Sequence, residues 1–321
     1  MKNKLAFVTL VLCTLSFALK ATVVDDFKRH TYYLASDELE GRGNGSEGIE
    51  LAAKYIEVQF RAIGLTPIDG YSYLQLFPIP NQQKSEANVV GVIKAATKTN
   101  RSIVFTAHYD ALGIIKKPGQ KDVIHNGALD NAIGVAAMIE MARQYQQGAK
   151  PAHNLVFIAT AAEETGQYGS DYYAKNPIFP LKDIIINVNF DGFNVTGPKE
   201  DYYVMPRQGV DFVDEIDAVS AKLGWVNDTP GWIDQMNTKF DTSTFLREGV
   251  PAFTLWTGNR AKGGKQVKSP KFGNIHSPDD QVNDQWNWDG VEDHINLYKA
   301  ISDYFLLHPD GIKVTDRKLF I

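Results

Sequence analysis

Residues 157–170 read FIATAAEETGQYGS, an apolar run that stops at two adjacent acids, Glu163 and Glu164. Paired like charges at the end of such a run mark either a solvated loop or a site in which each acid has its own task. Other apolar runs in the chain have similar ends. SIVFTAHYD closes on His108 and Asp110, and IIINVNFDG closes on Asp191. Asp130 stands just before the helix-like NAIGVAAMIEMARQYQ, and GNIHSPDDQVN presents His276. Each has an ordinary reading when taken alone. His108 and Asp110 can be a hydrogen-bonded pair, Asp130-Asn131 a helix N-cap, Asp191-Gly192 a turn, and Ser277-Pro278-Asp279-Asp280 a helix start.

These side chains act together only if the elements carrying them end side by side. ANVVGVI, SIVFTAH, NLVFIATAA, IIINVNF and PAFTLW are short, nearly continuous apolar runs. Helix-like segments lie between them: residues 131–146, residues 209–224, and a last helix over about residues 289–307. SEGIELAAKYIEVQFRAIGL places Ile49, Ala52, Ala53, Ile56, Phe60 and Ile63 on one helical face, with Ser46 as N-cap and Gly64 just past the end. Buried strands alternating with helices predict an α/β fold with a mainly parallel sheet covered on both faces. Ligands of such sheets sit in the crevice beyond the carboxyl ends of the strands, where His108, Glu163, Glu164 and Asp191 would stand.

Five or six acids and imidazoles sharing one crevice need a compensating positive charge, because unpaired carboxylates in a low-dielectric pocket repel and protonate. No run of Lys or Arg is placed to supply it. A pair of divalent cations would. Two zinc ions call for imidazole and carboxylate ligands and a bridging carboxylate. Two histidines, a bridging aspartate, one further carboxylate for each ion and one spare glutamate meet that need. Neighbouring side chains on an extended backbone point differently, so one glutamate of the pair can bind metal while the other stays free as a base.

The ordered set His108-x-Asp110, Asp130-Asn131, Glu163-Glu164, Asp191 and His276-Ser-Pro-Asp-Asp resembles the di-zinc aminopeptidase family that includes bacterial leucyl aminopeptidase and yeast aminopeptidase Y. The segment LASDELEGRGNGSEGIELAAKYIEVQFRAIGL is similar to the N-terminal part of that family, so the likeness spans about residues 34–307. It implies a three-layer α/β/α sandwich with a mixed, mainly parallel central sheet, of the zinc-peptidase and phosphorylase/hydrolase-like type. It further implies two zinc ions, one held by His108 and Asp191, the other by Glu164 and His276, with Asp130 bridging. Asp110 would accept the free imidazole N–H of His108, and Glu163 would take the proton of the attacking water and return it to the leaving amine. The peptide after Asp130 would be cis. The implied reaction removes the first residue from peptides with a free amino terminus. The chain departs from the family at Thr242, where relatives carry a histidine within a stretch otherwise matched by Asp241, Phe245, Gly249 and Pro251. Two enzymes of the same fold are the rivals: a glutaminyl-peptide cyclotransferase with a single zinc, and a metallocarboxypeptidase. A receptor-type binding protein would lack some of the five ligands.

Residues outside this set read as support or packing. His30, His153, His294 and His308 take structural readings, and His125, five residues before Asp130, is placed to overlook the cleft. The aromatic stretch of residues 194–260, with Tyr202, Tyr203, Trp225, Trp232 and Trp256, reads as a cleft wall or as core. The net charge of -5, with Lys and Arg scattered, excludes nucleic acid as the main partner. Lys2 and Lys4 followed by an apolar stretch of about 15 residues read as a secretory signal peptide over residues 1–21, too short for a membrane span. Cys13, the single cysteine, lies inside it behind the bulky Leu12, which disfavours a lipid anchor. The expected mature protein is one catalytic domain, residues 22–321, secreted or periplasmic and without a stable membrane anchor.

Overall fold

The computed structural model describes residues 22–80, 84–119, 121–267 and 275–321, and the segment read as a signal peptide lies outside them. Eleven strands run in chain order among these residues: β1 (Thr66–Pro67), β2 (Leu74–Pro78), β3 (Ser85–Ile93), β4 (Ser102–His108), β5 (Gly113–Ile114), β6 (Ile124–His125), β7 (Asn154–Thr160), β8 (Ile184–Asn189), β9 (Asp201–Met205), β10 (Val226–Asn227) and β11 (Ala252–Thr257). The helices are α1 (Val23–Leu34), α2 (Glu47–Ile63), α3 (Ile133–Gln147), α4 (Tyr168–Lys175), α5 (Val213–Lys222), α6 (Thr242–Arg247) and α7 (Val291–Leu307). The main sheet has the order β1-β3-β7-β4-β8-β11-β9-β10, with β2 also on β3, while β5 and β6 form a separate hairpin. Its centre, β7-β4-β8-β11, is parallel; β3 and β9 flank it antiparallel.

Alternation along the strands divides the core. Ile103, Phe105 and Ala107 of β4, with Leu155, Phe157 and Ala159 of β7, face a layer that includes α1, α2, α3, α5 and α7. Val104, Val156 and Ile158 face the opposite layer, with Tyr173 of α4 and Phe245 of α6. A buried polar seam runs through this second face. Asn189 accepts a hydrogen bond from Thr106 Oγ1 at 2.8 Å and donates to Thr254 Oγ1 at 3.0 Å, and Asn187 donates to Thr106 Oγ1 at 3.0 Å.

Helix α2 begins as its sequence predicts, with Ser46 Oγ accepting the Ile49 N–H at 3.2 Å, and it stops at Gly64, left-handed at φ 92°. Helix α7 starts two residues later than expected, after a 3-10 turn over Trp288–Gly290. From β4 the chain crosses through α3 to β7 on one side, then returns through α4 to β8 on the other. That reversal opens a crevice above the carboxyl end of β4. Among the described residues no helix is long and apolar enough to cross a membrane.

One buried histidine gives the fold a pH dependence. His294 on α7 packs among Phe193, Trp225 and Tyr298, with neither ring nitrogen hydrogen-bonded. Burial lowers its pKa to about 3. A base whose folded pKa lies below its unfolded value contributes fully above about pH 6.5, and that stability is lost as the pH falls toward 3. Lowering the pH from 7 to 5 is expected to remove about 2 kcal/mol through this residue. Denaturant unfolding of His294→Phe at both pH values should show a smaller acid loss by that amount; an equal loss would show that His294 does not titrate on unfolding.

Candidate metal centre

The end of β4 delivers His108, whose Nε2 lies 3.1 Å from Asp130 Oδ1 and 3.8 Å from Asp191 Oδ2. Asp191 follows β8, two strand spacings from β7 and adjacent to β4. The other oxygen of Asp130, Oδ2, lies 3.0 Å from His276 Nε2, which is 3.2 Å from Glu164 Oε2. Two groups of potential ligands result, His108-Asp130-Asp191 and Asp130-Glu164-His276, and in each the ligand atoms lie within 4.8 Å of one another. Asp130 belongs to both. Glu163 lines the same cleft and belongs to neither.

Local structure explains these placements. The chain leaves β7 through Ala162, left-handed at φ 60°, and turns so that the Glu163 carbonyl accepts N–H bonds from Gly166 and Gln167, both 2.9 Å. The Asp110 carboxylate fixes this turn from below, accepting the N–H groups of Glu163 at 3.1 Å and Glu164 at 3.2 Å. Under His108 it is the Asp110 backbone carbonyl that lies closer to Nδ1, at 3.2 Å, against 3.7 Å for its Oδ1. The Asp110 carboxylate thus faces the His108 imidazole and also supports the two glutamates.

Asp130 sits in a tight turn before α3, with a cis peptide to Asn131. It does not cap the helix, whose N-cap position is Ala132. Asn131 makes three hydrogen bonds to two segments, donating to the Phe190 carbonyl at 2.9 Å and accepting the N–H groups of Gly192 at 3.0 Å and Gly134 at 3.1 Å. Asp280 accepts the Leu129 and Asp130 N–H groups at 2.8 and 3.0 Å, so Ser277-Pro278-Asp279-Asp280 forms a turn that braces Asp130 rather than a helix start. His276 itself is left-handed at φ 59°.

The residues suit divalent metal. Burial pushes Glu163 well above the ordinary carboxylate range and Asp191 up to about 8, and it also raises Glu164. These carboxylates are not stable as anions together without a counter-ion. Only Asp130 is held low: burial opposes its ionisation, but hydrogen bonds from His108 and His276 outweigh it. A run of basic residues is missing, as the sequence indicates, yet one buried cation stands behind the site. Arg42 donates to the carbonyls of Tyr109 at 2.6 Å, Asn126 at 2.7 Å, Gly127 at 3.0 Å and Leu34. Its hydrogen bonds all go to main-chain carbonyls, so it ties together the loops bearing His108 and Asp130 without bonding to the carboxylates of the site.

The cleft above these acids has a volume of about 520 Å³, with an apolar wall of Leu129, Met236, Phe240, Trp256 and Ile275. Of the aromatic residues expected there, only Trp256 takes part. Tyr202 and Trp225 belong to the core, Tyr203 packs under the wall against Met205, Ile233 and Phe240, and Trp232 is exposed. Residues 236–240 of the same stretch supply Met236 and Phe240, and they lack a recognisable motif. His125 is buried and does not line the cleft, and Thr242 is buried at the start of α6 beside Asp241, which accepts from Thr160 and Ser170, both at 2.5 Å.

Comparison with known proteins adds relatives to this geometry. The model of peptidase family M28 matches residues 88–301. A probable zinc metalloprotease of Pyrenophora tritici-repentis is 28% identical over 167 residues, covering 51% of this chain and 37% of its own length. One of Pyricularia oryzae is 37% identical over 89 residues, covering 28% of this chain and 17% of its own length. The chain thus matches about a third or less of these curated relatives. Among solved structures, an aminopeptidase from Aneurinibacillus sp. strain AM-1 superposes with a TM-score of 0.64 at 16% identity, covering 88% of this chain and 93% of that one. The zinc aminopeptidase of Bacillus subtilis gives 0.62 at 17%, covering 86% and 94%. The glutaminyl cyclase of Porphyromonas gingivalis gives 0.59 at 14%, covering 90% and 99%. At these identities the likeness concerns the fold.

Proposed function

The chain belongs to peptidase family M28, and from that premise we propose that it is an exported aminopeptidase with two zinc ions, removing the N-terminal residue of peptides. The observation that carries the reading is the sharing of Asp130 between two groups of three ligands, with Glu163 beside both and part of neither. His108, Asp130 and Asp191 would hold one ion, and Asp130, Glu164 and His276 the other. Bound there, zinc supplies a Lewis acid for the scissile carbonyl and makes water more acidic. Glu163 accepts the proton of the attacking water and delivers it to the leaving amine, which its raised proton affinity suits. Asp110 orients Glu163 and Glu164 through their N–H groups. The likeness to two bacterial aminopeptidases supports an amino-terminal substrate, and the leader-like residues 1–21 support export.

Zinc content and hydrolysis of aminoacyl p-nitroanilides, measured with and without chelator, test the reading. About two zinc ions per chain are expected from the two groups, with release that stops on chelation and returns with zinc. One zinc per chain, no release, and lactam formation from peptides beginning with glutamine would make the protein a cyclase like its Porphyromonas neighbour. Cleavage of amino-blocked but not carboxyl-blocked peptides would make it a carboxypeptidase.

A further inference from the structure

The apolar wall of the cleft is attached at both ends to the loops that carry the ligands. At one end Trp256 Nε1 donates to the Asp191 carbonyl at 2.6 Å, and the Trp256 ring meets Phe240 edge-on, centroids 5.5 Å apart. At the other end stands Gln167, four residues beyond Glu163 in the same turn. Its backbone is left-handed, φ 59° and ψ 30°, and sends the side chain across the cleft margin toward residues 238–243. There its Nε2 donates to the Thr238 carbonyl at 3.1 Å, and its Oε1 accepts from Ser243 Oγ at 2.7 Å. One amide thus spans both ends of the segment that presents Lys239 and Phe240 to the cleft.

We infer that Gln167 is a specificity-determining residue: it fixes the distance between the glutamate turn and the Phe240 wall, and so the size of the N-terminal side chain that fits. The inference rests on the aminopeptidase reading and concerns which residue sets how sharply the cleft discriminates among N-terminal side chains. Leu129, Met236, Phe240, Trp256 and Ile275 surround the space such a side chain would fill. The two anchors differ in kind. Asp241 binds Thr160 and Ser170 below the cleft and keeps α6 in place. Among the described residues Gln167 makes the side-chain link from the turn to the Thr238 end, so removing its amide loosens the wall without disturbing the ligands.

The test compares Gln167→Leu, which keeps a side chain of similar bulk and loses both hydrogen bonds, with Ser243→Ala, which loses one. Two ratios are measured: kcat/KM for leucyl over alanyl p-nitroanilide, and equilibrium binding of L-leucine hydroxamate over L-alanine hydroxamate by calorimetry. Zinc content is determined on the same samples. Gln167→Leu is expected to lower both ratios about 10-fold, the scale on which a pocket senses one or two methylene groups, with zinc content unchanged. Ser243→Ala should lower them less. Unchanged ratios overturn the inference, as does an equal loss on both substrates, which would make Gln167 a support for Glu163 alone. If the wild-type protein hydrolyses neither substrate, the aminopeptidase reading fails, and the hydroxamate ratio still decides the role of Gln167.

Discussion

Glu163→Gln is expected to cut turnover by about 10²–10⁴-fold, the usual range for loss of a general base, while the metal content stays that of the wild type. The substitution keeps the shape of the side chain and its main-chain support, since the Asp110 carboxylate binds the N–H groups of residues 163 and 164 rather than their side chains. It removes only the ability to take a proton. Because Glu163 lies outside both ligand groups, KM for a short peptide should move far less than kcat. Turnover within a few-fold of wild type would assign the proton to another group, and a loss of zinc would place Glu163 among the ligands.

Asp130→Ala is expected to act differently, through the metal and on both ions at once. Asp130 is the one residue common to the two groups, with Oδ1 toward His108 and Oδ2 toward His276. Losing a group that only supports a ligand already costs roughly 10–100-fold in metal affinity; losing the shared ligand should cost each site more. After dialysis against micromolar chelator the variant should carry less than one zinc per chain and show no measurable turnover. Asp191→Ala, by contrast, removes a ligand from one group only and should leave the other ion bound. Retention of two ions by Asp130→Ala would show that the groups do not share it.

The sequence carries the centre of the sheet and the ligand residues for the same reason. Buried parallel strands are apolar on both faces, so β4, β7, β8 and β11 stand out as runs, and a charged residue at the end of such a run has few structural explanations. The edges were less legible. DYYVM, which becomes β9, mixes a buried acid with one buried and one half-buried tyrosine and gives no clean period, and β1 and β10 are two residues long. Helix α1 follows directly on the leader-like segment, although Thr22 and Asp25 form a complete capping box. Arg42, Asn131 and Asp280 escaped because they act through the main chain. A side chain that binds carbonyls or N–H groups leaves no spacing signature, and Asn131 and Asp280 each had a plausible cap or turn reading. Residues 194–260 supply both the wall and part of the core: Met236, Phe240 and Trp256 line the cleft, while Tyr202 and Trp225 are buried in the core, and aromatic content alone does not separate the two.

The seam of Thr106, Asn187, Asn189 and Thr254 below the site has a consequence for the candidate ligands above it. Aliphatic strands slide past one another at little penalty, since one valine packs much like the next. Here Thr106 pairs with Asn189, and Asn189 with Thr254, as direct neighbours across β4, β8 and β11. Sliding β8 by one residue would turn the asparagines to the other face, away from their hydroxyl partners, and leave buried polar groups unmet, at about 1–3 kcal/mol each. His108 lies two residues beyond Thr106 and Asp191 two beyond Asn189. The seam therefore works as a ruler: by fixing how the strands align inside the protein, it sets how level the two side chains stand at the rim, before any ion arrives.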